Sequence, residues 1–285
     1  MHELGNDVAV PDELRGALEE RIRTGKIELP LLPEVASQVM TSSMDPHCET
    51  RKLAELIRRD PALAGHVLRV SNSALFAPAV AIVTLQQAVS RLGMQKIREI
   101  ALIISCQSKV FVVPGFENRL RVLFKHSLAA GLYAQEIARM RRTNVEEAFL
   151  GGLLHDVGRP VLLQELVDLQ KQLRIELHAD ALDVLVEQYH ARVGSALIER
   201  WALPARLRET VAFHHDPAAA PTCVQAAMTT ALADELAHLT VGPQLVDEES
   251  VRQHPLRAPL NIYPDMIDQL LAKRESIAAM VEAVA

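Results

Sequence analysis

His155 and Asp156 stand side by side behind Leu150, Leu153 and Leu154 in the stretch GGLLHDVGRP. An imidazole and a carboxylate are costly to bury without partners. The pair therefore either holds a cation or belongs to a hydrogen-bonded polar network inside the core. Residues of the same chemistry recur along the chain. His126 lies upstream, His190 ends VEQYH, His214 and His215 are adjacent, and Asp234 sits in ALADELAH. Each is set in apolar sequence of helical spacing. Neutral imidazoles and ionised carboxylates converging from several helices are what a metal site in a helical domain requires. Successive residues on a helix point about 100° apart, so His155 and Asp156 can flank one ion or serve two. Spacing alone leaves the metal site and the metal-free polar core both open. Of the other histidines, His2, His47 and His254 read as solvated. His66, His178 and His238 stand alone on predicted helices and read as surface or singly bonded groups.

The elements that carry these residues are helices. Asp60 caps and Pro61 opens PALAGHVLRVS, with Leu63, Val67 and Val70 at helical spacing. Thr84 and Gln87 stand in capping-box register, and Gly93 sits where a left-handed C-terminal residue belongs. MQKIREIALIISCQSKVF continues as a second helix. Val113-Pro114-Gly115 is a turn signal and the best domain boundary. Beyond it, a long helix carries His126. Asn144 and Glu147, again in capping-box register, start a helix that ends near Gly158 and Pro160. The next helices are expected from about Val161, across ALDVLVEQYH, through VGSALIERW, over ARLRETVAFHH to Pro217, and from Thr222 to Leu239. An acidic turn at Asp247–Glu249 follows, then one last helix from Pro264. Gly151 and Gly152 read as positions of close helix packing. No strand pattern appears, so the fold class is all-α.

Bulk properties narrow the function. The 285 residues are 49% hydrophobic but 4% aromatic, which suits a helical core of Leu, Ile, Val and Ala. A net charge of -6 gives no footprint for nucleic acid. Arg139, Arg141, Arg142 and Lys125 read as solvated helix-end cations. Cys48, Cys106 and Cys223 are in no paired spacing and read as reduced thiols of a cytoplasmic protein. No signal peptide or membrane span is expected.

The segments LPLLPEV, RRDPALAGHVLRVSNSALF and TLQQAVSRLGMQKIREIAL, followed by HSLAAGLYAQEIA, FLGGLLHDVGRPVL, EQYHARVGSALIERWALP and VAFHH, resemble the HDOD proteins. These are HD-related output domains of bacterial signalling. The resemblance implies an N-terminal helical bundle packed on a C-terminal domain related to HD phosphohydrolases. On this pattern the chain divides into an N-terminal extension (1–24), an N-terminal helical subdomain (25–114), an HD-like domain (115–240) and a C-terminal extension (241–285). The resemblance also implies candidate metal ligands at His126, His155, Asp156, His190, His214, His215 and Asp234, for one or two divalent ions such as Fe, Mn, Zn or Ni. Hydrolases of cyclic di-GMP in the wider superfamily follow the double His with Gly-Tyr-Pro, where this chain reads HHDPAAAPTC. They also carry Lys where Arg159 stands. Arg159 keeps the charge and is the candidate phosphate contact, although the two side chains are not interchangeable. The resemblance implies a regulatory module without turnover, acting through signalling proteins or self-association. The alternative is a metal-dependent phosphohydrolase of a nucleotide or cyclic dinucleotide.

Overall fold

The computed structural model describes residues 10–45, 47–73, 81–106, 110–176, 178–241 and 246–284, and among these it is helical with no β-strand. His2, residues 74–76 of VSNSALF and residues 107–109 of the MQKIREIALIISCQSKVF helix lie outside the described residues. The helices are α1 (Asp12–Thr24), α2 (Glu34–Met44), α3 (Thr50–Arg58), α4 (Pro61–Ser71), α5 (Leu85–Ser105), α6 (Glu117–Arg141) and α7 (Val145–Leu154). They continue as α8 (Gly158–Leu173), α9 (Ala179–Arg200), α10 (Ala205–Ala212), α11 (Val224–Thr240), α12 (Glu248–Arg252), α13 (Pro264–Ala272) and α14 (Arg274–Val284). No helix among the described residues is long and apolar enough to cross a membrane. Cys48, Cys106 and Cys223 are free.

Local chemistry sets the helix starts. Asp60 accepts from the backbone N–H groups of Ala62 and Leu63, with Pro61 in the first turn of α4. Thr84 and Gln87 form a full capping box on α5. Asn144 caps α7 through the N–H groups of Glu146 and Glu147. The Glu147 carboxylate turns instead to Arg206, whose Nε donates to it at 2.8 Å. Gly93, at φ 79° and ψ 161°, divides α5 into two segments. Asn72 ties the end of α4 to Ile82 with two hydrogen bonds of 2.8 Å, one in each direction.

Several expected boundaries are corrected. α8 starts at Gly158 rather than Val161, because Pro160 falls in its first turn, where the missing N–H breaks no helical bond. The two helices expected either side of His190 are the single α9. The acidic turn is the start of α12, capped by Asp247 on the Ser250 N–H. The last helix is two, α13 and α14, divided at Lys273. Arg141 is no solvated helix end: its Nε donates to Leu260 O at 2.8 Å and fixes the C-terminal segment against α6.

The buried apolar side chains form two clusters. Val39, Leu53, Ile57, Leu63, Val67, Val89 and Ile97 make the smaller one from α2 to α5. The larger gathers α6 to α11 with α1, α13 and α14. The second segment of α5 serves both, with Ile100 and Ile104 on one side and Leu102 and Ile103 on the other. A helix apolar on all sides is a buried one. Arg98 locks it there, donating to Ser43 O at 3.0 Å and pairing with Glu146 of α7. α1 docks on α8 and α9 through Leu14, Leu18 and the Arg21–Glu165 ion pair.

Two near-contacts of bare backbone bring the polar residues together. A Cβ on Gly152 would lie 2.5 Å from Ala130 O, so α7 and α6 touch there without side chains. A Cβ on Gly158 would lie 2.0 Å from His190 O and 2.6 Å from Gly194 N. The start of α8 therefore rests directly on α9, with His155 and Asp156 on one side of the contact and His190 on the other. Gly158→Ala is expected to cost about 3 kcal/mol or more, because backbone rather than a flexible side chain must move. Gly65→Ala, in α4 with nothing within 4 Å, should be neutral or stabilise by about 0.5–1 kcal/mol. Urea unfolding of both variants checks this; a Gly158→Ala chain as stable as the parent would contradict the packing.

Candidate metal centre

Five elements deliver the polar cluster. α6 carries His126, the α7–α8 junction carries His155 and Asp156, and α9 carries His190. His214 and His215 follow α10, and α11 carries Asp234. His126, His155, Asp156, His190 and His214 are buried, while His215 is exposed and Asp234 lies between.

Backbone carbonyls set the tautomers. His155 Nδ1 lies 2.7 Å from Gly152 O, His190 Nδ1 2.9 Å from Glu187 O, and His214 Nδ1 2.8 Å from Val211 O. A carbonyl oxygen only accepts, so each Nδ1 carries the hydrogen and each neutral ring turns an Nε2 lone pair inward. This is how outer hydrogen bonds orient metal-binding imidazoles. His190 Nε2 lies 3.3 Å from His214 Nε2 and 2.9 Å from His215 Nε2. His215 can donate to His190, but the His190 and His214 lone pairs then still face each other without a cation.

Two sets of residues are arranged so that they could hold a metal ion: His126, His155 and Asp234, and His190, His214 and His215. His155 Nε2 is 3.4 Å from Asp234 Oδ1 and 3.5 Å from Asp156 Oδ2, and it makes no hydrogen bond. Ligands at 2.1 Å around a tetrahedral ion stand about 3.4 Å apart. A buried donor atom at that distance from two carboxylates fits a divalent cation. His126 differs, since its Nε2 donates to Asp234 Oδ1 at 2.7 Å and must give up that proton to bind metal.

Asp156 lies between the two sets. Its Oδ2 faces His155, and its Oδ1 is 3.2 Å from His190 Nε2 and 2.7 Å from Arg159 Nε. Arg159 also pairs with Glu187 of α9 at 2.8 Å. Its guanidinium is thus engaged with two carboxylates of the cluster. Sequence reasoning missed Glu187 and His238. The His238 ring lies 4.4 Å from that of His126, although it reads as a lone surface or singly bonded residue in the sequence. Its signal was the four-residue spacing from Asp234, one helical turn. His66 fits the expectation of a singly bonded group, its Nε2 lying 3.2 Å from Arg69.

Charge in the cluster is tightly coupled. Burial opposes ionisation of Asp156, but Arg159, His155 and His190 outweigh it and hold the carboxyl well below its usual range. Asp234 is held low in the same way by His155 and His126. Burial alone would lower the His155 pKa; Asp156 and Asp234 reverse this and push it up to about 9. In the metal-free chain a proton on His155 thus stands where a cation fits. His190 is pushed down to about 4 by burial, with Arg159 and His215 adding to it, and burial also depresses His214. The signs of linkage follow. His155 stabilises the metal-free fold fully below about pH 6.5, and this is lost as pH rises through 9. His190 and His214 act oppositely, and stability falls as pH drops from about 6.5 toward 4. Urea unfolding of metal-free protein should show an alkaline loss on the order of 3 kcal/mol that His155→Gln removes. An alkaline limb unchanged in that variant would contradict the assignment.

The same arrangement of helices occurs in other proteins. The HDOD domain profile matches residues 29–217. A curated protein of Treponema pallidum (strain Nichols) is 25% identical over 204 residues. The match spans 68% of this chain and only 39% of that relative's length. An HDOD domain protein from Geobacter sulfurreducens superimposes with a TM-score of 0.71 at 24% identity, covering 96% of this chain and 99% of its own. A structure from Shewanella amazonensis SB2B, described as a candidate metal-dependent phosphohydrolase, gives 0.75 at 21% identity over 94% and 98%. These two structural likenesses establish the fold. Together with a profile match over most of its length, they lead to one assignment: the chain belongs to the HDOD domain family.

Proposed function

We propose that the chain is a regulatory HDOD module that binds one divalent metal ion and acts on signalling proteins without turnover. The ion is held by His126, His155 and Asp234, with Asp156 Oδ2 beside them. When bound, the cation supplies positive charge between buried Asp156 and partly buried Asp234, and Lewis acidity toward an oxygen ligand. The protein's own part is orientation. The carbonyl-fixed imidazole of His155 presents an Nε2 lone pair, and the glycine contacts hold α6 against α7 and α8 against α9.

The observation that carries the reading is the ion pair of Arg159 Nε with Asp156 Oδ1, 2.7 Å apart but not in hydrogen-bonding geometry. A two-metal hydrolytic site uses a shared clamp on the attacking and leaving oxygens. Here the carboxylate oxygen facing the second histidine set is already neutralised by a fixed guanidinium. Arg159 supports one metal rather than two, and its pairing with Glu187 leaves it committed to internal charges rather than a phosphate. The loop after the double His, HHDPAAAP, enters a 3-10 turn at Pro217–Ala219 and lacks the substrate motif of the cyclic dinucleotide hydrolases. Exposed Leu31 and Val112 flank a groove of about 810 Å³ lined by apolar Leu29, Phe111 and Val161 and by charged Glu28, Asp168 and Arg200, a mixed surface open to a partner.

The phosphohydrolase reading retains one supporting observation, the exposure of His215 and Glu187 at the edge of the second set. Elemental analysis of untagged protein separates the two. One metal per chain is expected, lost in His155→Ala/Asp156→Ala, with no cleavage of cyclic dinucleotides or generic phosphodiesters. Arg159→Ala should admit a second ion. Two ions in the parent chain, with phosphodiester cleavage abolished by His190→Ala, would contradict the proposal.

A further inference from the structure

Asp234 Oδ1 is approached by three imidazoles. The Nε2 atoms of His126, His155 and His238 lie 2.7, 3.4 and 3.6 Å from this one oxygen. Asp234 and His238 are one turn apart on α11, so their side chains share a face. The His238 and His126 rings are 4.4 Å apart between centroids and inclined by 40°, close but not hydrogen-bonded to each other. His155, His190 and His214 are fixed by backbone carbonyls; among the described residues no such bond holds the His238 ring. Its side chain is 36% exposed, against 8% for His126 and 1% for His155.

We infer that His238 is a further ligand of the ion at His126, His155 and Asp234, added from the solvent edge, and that it governs metal choice and retention. This rests on the metal reading above. Three imidazoles with a carboxylate suit borderline cations such as Zn²⁺, Co²⁺, Ni²⁺ or Fe²⁺, whereas Mg²⁺ and Ca²⁺ prefer oxygen donors. Position decides its role. His126 and His155 are buried and cannot release a ligand bond without exposing a carboxylate to the core. His238 can rotate into water, so it is the ligand that opens when the ion enters or leaves.

The test uses the full chain stripped of metal, with Co²⁺ as a spectroscopic probe and Zn²⁺ and Mn²⁺ in chelator competition. His238→Ala should weaken Co²⁺ and Zn²⁺ binding by about 10–100-fold, the size expected for changing a group that sets a metal site. It should also alter the visible Co²⁺ spectrum and speed the loss of metal to chelator. Binding of Mn²⁺, which is less dependent on imidazole, should shift by only about 2-fold. His238→Gln, which keeps the volume, should behave like His238→Ala, and His47→Ala on the exposed surface should change nothing. Unaltered affinity, spectrum and release in both His238 variants, with binding abolished by His155→Ala, would overturn the inference alone. A parent chain that binds neither Co²⁺ nor Zn²⁺ would overturn the inference and the metal reading together.

Discussion

Two carboxylates, Asp156 and Asp234, are drawn into the core of a helical protein and must be neutralised there. An isolated ionised carboxylate in such surroundings costs far more than the net stability of a domain. Arg159 answers for Asp156, and the imidazoles of His126 and His155 face Asp234. The neutralisation works only if α6, α7, α8, α9 and α11 meet at one place. That is why bare backbone is pressed together at Gly152 and at Gly158 against Gly194. The packing of the larger core and the chemistry of the cluster are therefore one constraint. A side chain at either contact would separate the helices and strand the charges they bring.

The same constraint explains the division of labour among cations. A proton on His155, the guanidinium of Arg159 and a metal ion are three ways of supplying positive charge to one small volume. A guanidinium is permanent and bound by its own chain, and it needs no site to be filled. A proton is exchanged with pH and a metal with its supply. The cluster thus has a fixed charge, Arg159, on the side of His190 and a titratable one on the side of His155. α6 and α11, which carry His126 and Asp234, also contact the C-terminal helix α14.

Much of this was legible in the sequence, and what was legible had a local cause. Asp60 with Pro61, Thr84 with Gln87 and Asn144 announce helix starts because a cap acts within three residues. The members of the polar cluster were identifiable by chemistry and by resemblance, and the chain brings all seven together. What failed was long-range. The GRP triplet looks like the end of a helix, yet Gly158 opens α8, because it serves an approach between helices that no local pattern reports. Arg159 is a phosphate-contact candidate in the sequence, and its ion pair with Glu187, on another helix, is not visible there. His238 reads as a surface or singly bonded residue because its neighbour His126 is more than a hundred positions away.

The central claim is that the space between His126, His155 and Asp234 is a cation site. Anomalous diffraction from crystals of untagged, zinc-loaded protein, measured on both sides of the zinc edge, tests it most directly. The account predicts one strong peak within bonding distance of His155 Nε2 and Asp234, with Arg159 still on Asp156. Absence of density there, with His155 Nε2 instead hydrogen-bonded to Asp234, would contradict it.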